Sequence, residues 1–151
     1  MLFKNSSLVF QISKFLLIVL FTYAASVKLF DHAHFAAQLS QIAFLKNFAG
    51  FLSVCLPVIE IITAFCLVFD RTLLNGLVLA VLFMTGFTIY IAAMLVFSSN
   101  LPCSCGGVIA QMNWKEHLAF NIFFMLLSWN TLINYNKYSN QLISTNTKEV
   151  S

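Results

Sequence analysis

The sequence predicts an all-α fold, a four-helix transmembrane bundle. Three observations lead there. Of 151 residues, 60% are hydrophobic and 9% charged, against about 45–50% and about 25% in an ordinary soluble domain. Mean hydropathy is +0.89, more apolar material than a soluble core of this size can hide. Four apolar runs are each long enough to cross a bilayer, which takes roughly 20 helical residues. A closed barrel would also satisfy the backbone in lipid, but it needs alternating segments of about 10 residues. Residues 76–84 (GLVLAVLFM) show no alternation.

The first span covers residues 8–28. Lys4 and Lys14 precede its apolar core, and it ends in Tyr23-Ala24-Ala25-Ser26, which mimics a secretory signal. No soluble mature domain follows, and cleavage would leave three spans, so a retained helix is expected. Residues 31–47 come next. Phe35, Leu39, Ile42 and Leu45 recur at spacings of 4, 3 and 3, with Gln38, Ser40, Gln41 and Lys46 elsewhere. That pattern predicts a short amphipathic helix lying at the membrane interface.

The second span covers 48–69 and the third 73–97. The link Asp70-Arg71-Thr72 is short, so the two form an antiparallel hairpin. The fourth span covers 116–135. Asn113 is placed to cap it, with Glu116 three residues later as in a capping box. Trp114 marks one interface, and Trp129, Tyr135 and Tyr138 the other. Residues 1–138 are expected to form one membrane domain, followed by a polar tail over 139–151.

Eight Lys/Arg against five Asp/Glu give a net charge of +3. The basic residues are scattered and form no stripe, which argues against nucleic acid as a partner and leaves the lipid bilayer. Lys4, Lys14, Arg71, Lys137 and Lys148 fall on one side of the four spans, Lys28, Lys46 and Lys115 on the other. The excess predicts cytoplasmic termini and an outward-facing, periplasmic loop before the fourth span.

That loop carries Pro102-Cys103-Ser104-Cys105-Gly106-Gly107. Two cysteines one residue apart close a disulfide only in a tight turn, since their Cα atoms must approach to about 4.4–6.8 Å. Pro102 stiffens the entry, and the two glycines permit positive φ on the exit. So small a ring removes little chain entropy, and its strain favours exchange over scaffolding. Thiol–disulfide chemistry is the leading reading of Cys103 and Cys105. A passive pair and metal ligation stay open beside it.

His117 falls in the first turn of the fourth span, where a neutral imidazole could serve as base or hydrogen-bond partner to either cysteine. Asn121, one turn on, is placed to orient it. The plainer role for both is to tie the fourth helix to its neighbours. His32 and His34 are interfacial residues on the same side; with Cys103, Cys105 and His117 they make up an alternative copper or zinc donor set, at spacings that match no standard zinc pattern.

Glu60 lies roughly 18 Å along the second span, near the bilayer centre. An intramembrane carboxylate is a functional candidate: a proton relay, a contact to a quinone head group, or a polar clamp between helices. Thr85 is expected at similar depth as its partner, and Lys28, at the end of the first span, is expected to be too shallow to reach it. Pro57 releases the carbonyl of Ser53. Cys55 and Cys66 are about 16 Å apart along one helix and are expected to be packing residues.

Ala24-Ala25-Ser26-Val27-Lys28-Leu29 closing the first span, Leu56-Pro57-Val58-Ile59-Glu60 in the second, and Pro102-Cys103-Ser104-Cys105-Gly106-Gly107 before Trp114, His117 and Asn121 together resemble the MauE/DoxX group of redox-associated membrane proteins, most closely its MauE branch. The resemblance extends over nearly the whole chain. It implies a small inner-membrane protein of four helices. MauE is linked to methylamine utilisation, where it is thought to support maturation of a disulfide-rich dehydrogenase subunit with a thioredoxin-like partner. DoxX relatives are linked to quinone-coupled oxidation. The resemblance therefore implies Cys103 and Cys105 as redox residues, His117, Glu60 and Lys28 as supporting positions, and a membrane quinone as the candidate cofactor. Any thioredoxin-like partner is expected to be a separate chain.

The sequence thus leads to dithiol/disulfide exchange at the membrane, coupled to a quinone or to the cytoplasmic side. The competing readings are a non-catalytic assembly factor and a metal-handling protein.

Overall fold

The computed structural model describes residues 2–41, 46–97 and 113–149. Every extended regular element among them is helical: α1 (Leu2–Phe30), α2 (His32–Ser40), α3 (Ala49–Val68), α4 (Leu73–Phe97) and α5 (Trp114–Glu149), with a 3-10 turn over Lys46–Phe48 before α3. Four segments are long and apolar enough to cross a membrane: Leu8–Phe30, Lys46–Val68, Leu73–Ala93 and Lys115–Asn140. α1 packs on α3, α3 on α4, α4 on α5, and α5 returns to α1, which closes the bundle.

The core of that ring is Leu17 and Phe21 of α1, Ala64 and Leu67 of α3, Leu73, Leu77, Ala80 and Met84 of α4, and Phe124 of α5. The outward faces are no less apolar. Phe15, Phe51, Phe65, Leu82 and Ile133 are all exposed. In water such a surface would drive association; against hydrocarbon it is the expected one. Three buried or half-buried hydroxyls bond within their own helices, as the absence of water in lipid favours. Thr63, Thr88 and Thr131 each donate to the carbonyl four residues back, at 2.7–2.8 Å.

The α3–α4 hairpin is tight for an identifiable reason. A Cβ on Gly76 would stand 2.8 Å from the Leu67 backbone nitrogen and 2.9 Å from the Cys66 carbonyl carbon. Only hydrogen fits there. Thr72 Oγ1 donates to the Cys66 carbonyl at 3.0 Å and fastens the turn. Cys66 is half-buried beside this contact and Cys55 is half-buried elsewhere on α3; both are free thiols, in keeping with packing roles.

Two elements differ in detail from expectation. The short helix α2 does carry an amphipathic stripe, but its described members Phe35 and Leu39 are buried against Ala49, Leu52 and Leu56 of α3. Its apolar face thus meets protein, and Gln38, expected on the polar side, is buried too. Ile42 and Leu45 lie outside the described residues. The second difference is α5, which runs on to Glu149 through the stretch expected as a polar tail. Residues 139–149 contain no Gly or Pro, so nothing in them breaks the helix.

Candidate functional site

α1 and α3 are antiparallel, as two ion pairs along them demonstrate. Lys14 meets Asp70 at one end, 3.3 Å apart, and Lys28 meets Glu60 toward the other. The second pair corrects the expectation that Lys28 is too shallow. Side chains in a helix tilt toward its N-terminus. Lys28 therefore leans from the loop end into the bilayer, while Glu60, on an antiparallel helix, leans up toward the loop. From Lys14 to Lys28 is about 21 Å along α1, and from Glu60 to Asp70 about 15 Å along α3. Two long side chains leaning toward each other cover the difference.

The pair is deeply buried. The Glu60 side chain is 3% exposed and that of Lys28 11%. Lys28 Nζ donates to Glu60 Oε1 and lies 5.8 Å from the Phe35 ring centroid and 5.3 Å from that of Phe87. Both distances are within the range in which a ring face attracts a cation. The other carboxylate oxygen, Glu60 Oε2, is buried and accepts no hydrogen bond, and Thr85 Oγ1 is likewise buried without a partner. The expected Thr85–Glu60 bond is not made.

Around this pair the four spans leave a chamber of about 80 Å³, lined by Lys28 and Tyr23 of α1, Glu60 of α3, Tyr90 of α4, and His117 and Asn121 of α5, between apolar walls that include Met84, Phe87 and Phe120. One water needs roughly 10–15 Å³ by such a measure, so the chamber has room for a few. The start of α5 positions His117. The backbone N–H of Asn113 donates to Glu116 Oε2 at 2.9 Å, which completes one half of the anticipated capping box. The His117 N–H donates to the Asn113 carbonyl at 2.9 Å. Asn121 Nδ2 donates to the main-chain carbonyl of His117 at 3.0 Å, so it braces the first turn of α5.

The structure thus brings together Lys28, Glu60, His117 and Asn121. Cys103 and Cys105 lie outside the described residues. His32 and His34 do not line the chamber: His32 Nε2 is 3.0 Å from Ser53 Oγ, and His34 Nδ1 is 3.6 Å from Asp31. Among the described residues no group of three or more His, Cys, Asp or Glu gathers as a metal site.

Tyr23 and Tyr90 were not anticipated as site residues. The available signal was faint: each is a hydroxyl-bearing residue in the loop-end half of an otherwise apolar run. Neither spacing nor charge distinguishes them from interfacial tyrosines.

A family model described as methylamine utilisation protein MauE matches residues 6–134. No curated protein and no solved structure matches the chain.

Proposed function

This chain belongs to the MauE family, and on that premise we propose that it takes part in thiol–disulfide exchange during maturation of extracytoplasmic proteins, through Cys103 and Cys105. The observation that carries the reading is the chamber at the loop end of the bundle. Three spans deliver Lys28, Glu60, His117 and Asn121 to one buried place, and eight residues separate the Cys-x-Cys segment from the start of α5 in sequence. Polar groups at bilayer depth are costly and mark function.

In this reading a thiolate of a thioredoxin-like carrier or substrate attacks one sulfur of the Cys103–Cys105 disulfide, the other sulfur leaves as thiolate, and a mixed disulfide forms. The second thiolate of that carrier or substrate resolves it, so that two electrons move between the two sulfur pairs. A membrane quinone is the proposed electron partner. The excess of Lys and Arg beside the residues 70–72 link and both termini supports cytoplasmic termini and a periplasmic loop in the inner membrane. The family description supports methylamine utilisation as the setting.

The test is alkylation of Cys103 and Cys105 in intact cells with a mass-adding reagent that does not cross the inner membrane. Labelling that appears only after reduction is the expected result. A pair that labels only after lysis, with no reductant needed, sinks both the topology and the exchange. Serine at both positions is expected to abolish maturation of the substrate while leaving the bundle folded. Full function in that variant would make the protein a non-catalytic assembly factor.

A further inference from the structure

Beside the chamber is a second space, an open groove of about 330 Å³ lined by Leu39, Leu52, Leu56, Leu82 and Gly86. Leu82 and Gly86 are exposed on α4 within a membrane-crossing segment, so the groove faces hydrocarbon. Gly86 adds no side chain to this lining, and a Cβ there would meet nothing within 4 Å. Phe83, Phe87 and Tyr90 line both spaces. The chamber and the groove therefore adjoin, sharing three aromatic side chains.

We propose that the two spaces form one binding site, entered from the bilayer, for an uncharged amphiphile with a hydroxyl-bearing head and a hydrocarbon chain. The chain occupies the groove over Gly86. The head enters the chamber and donates its O–H to Glu60 Oε2, the buried oxygen left without a donor. Charge decides against an ionic head. Lys28 and Glu60 neutralise one another, and an added charge would leave one ion unpaired at bilayer depth. Apolar walls with a few convergent polar groups are the usual form of such a site. The inference stands on this geometry alone and holds whether or not the cysteines exchange.

The test uses the full chain in phosphatidylethanolamine–phosphatidylglycerol liposomes and a photoactivatable dodecylphenol, with crosslinked residues located by mass spectrometry. Adducts are expected on the groove segments of α3 and α4. Gly86→Phe places a large side chain at the groove and is expected to reduce labelling to that of the surrounding lipid-facing surface; Gly86→Ala, whose Cβ would meet nothing within 4 Å, is expected to label nearly as the natural chain. Unlabelled dodecylphenol should compete roughly tenfold better than dodecylbenzene, the worth of a hydrogen bond to a charged acceptor. Competition by a long-chain quinol or by a diacylglycerol then identifies the natural source. Adducts spread evenly over every lipid-facing surface, or unchanged in Gly86→Phe, overturn the site. Equal competition by dodecylbenzene overturns the role of Glu60 and leaves a plain hydrocarbon groove.

Discussion

The two ends of the α1–α3 interface carry the same chemistry in opposite surroundings. At one end Lys14 pairs with an Asp70 side chain that is 68% exposed; toward the other, Lys28 pairs with a Glu60 side chain that is 3% exposed. Water and mobile ions screen the first pair, and such contacts contribute about 0–1 kcal/mol. The second pair has lost its water. Its attraction is strong, but so is the cost of bringing both charges there, and the net gain over two apolar residues is small or negative. A lysine–carboxylate pair at the surface can therefore serve as a fastening. The buried one is poorly explained by stability, which is why the chamber around it is the better place to look for function.

The largest effect expected from breaking this contrast is at the buried end. Lys28→Met or Glu60→Leu alone strands an ion at depth and is expected to destabilise the bundle by about 3–5 kcal/mol. The double variant is expected to recover most of that loss. Thermal unfolding in mild detergent reads all three, and single variants as stable as the natural chain would remove the argument for a desolvated pair.

Gly76→Val comes next. Its Cβ would press on the α3 backbone at 2.8 Å and 2.9 Å, and overpacking of that kind costs about 1–3 kcal/mol. The same unfolding measurement tests it, and Gly86→Ala, where nothing lies within 4 Å, is the natural control.

Glu116→Ala sharpens the comparison at the start of α5. It removes the acceptor of the Asn113 N–H, and the loss of such a cap is worth about 0.5–2 kcal/mol. Hydrogen exchange at the first turn of α5 should accelerate while the far end of the helix is unaffected; equal acceleration along α5 would mean that the cap is not what holds this end. The smallest effect is expected at the exposed pair. Asp70→Asn should change stability by less than about 1 kcal/mol, and raising the salt concentration should erase even that. A loss as large as that of Lys28→Met would show that Lys14 is desolvated as well.

Much of this molecule is written in its composition. Four helices follow from four apolar runs because lipid leaves the backbone no other partner than itself. The hairpin follows from a three-residue link, and the start of α5 from Asn113 and Glu116. Glu60 stood out as a carboxylate inside an apolar run, and Lys28, His117 and Asn121 as polar residues near the loop end. These are local properties, and a residue's neighbours in the chain suffice to read them.

What the chain alone could not settle is which of those residues meet. Lys28 looked too shallow for Glu60 because depth was counted from the backbone, and only the antiparallel packing of α1 on α3 tilts the two side chains toward each other. The apolar stripe of α2 announced an interface without saying whether lipid or α3 would cover it. Tyr23, Tyr90 and Gly86 carried no mark of their own. Their places in the chamber and the groove arise where separate helices fail to fill the space between them, and that is a property of tertiary packing.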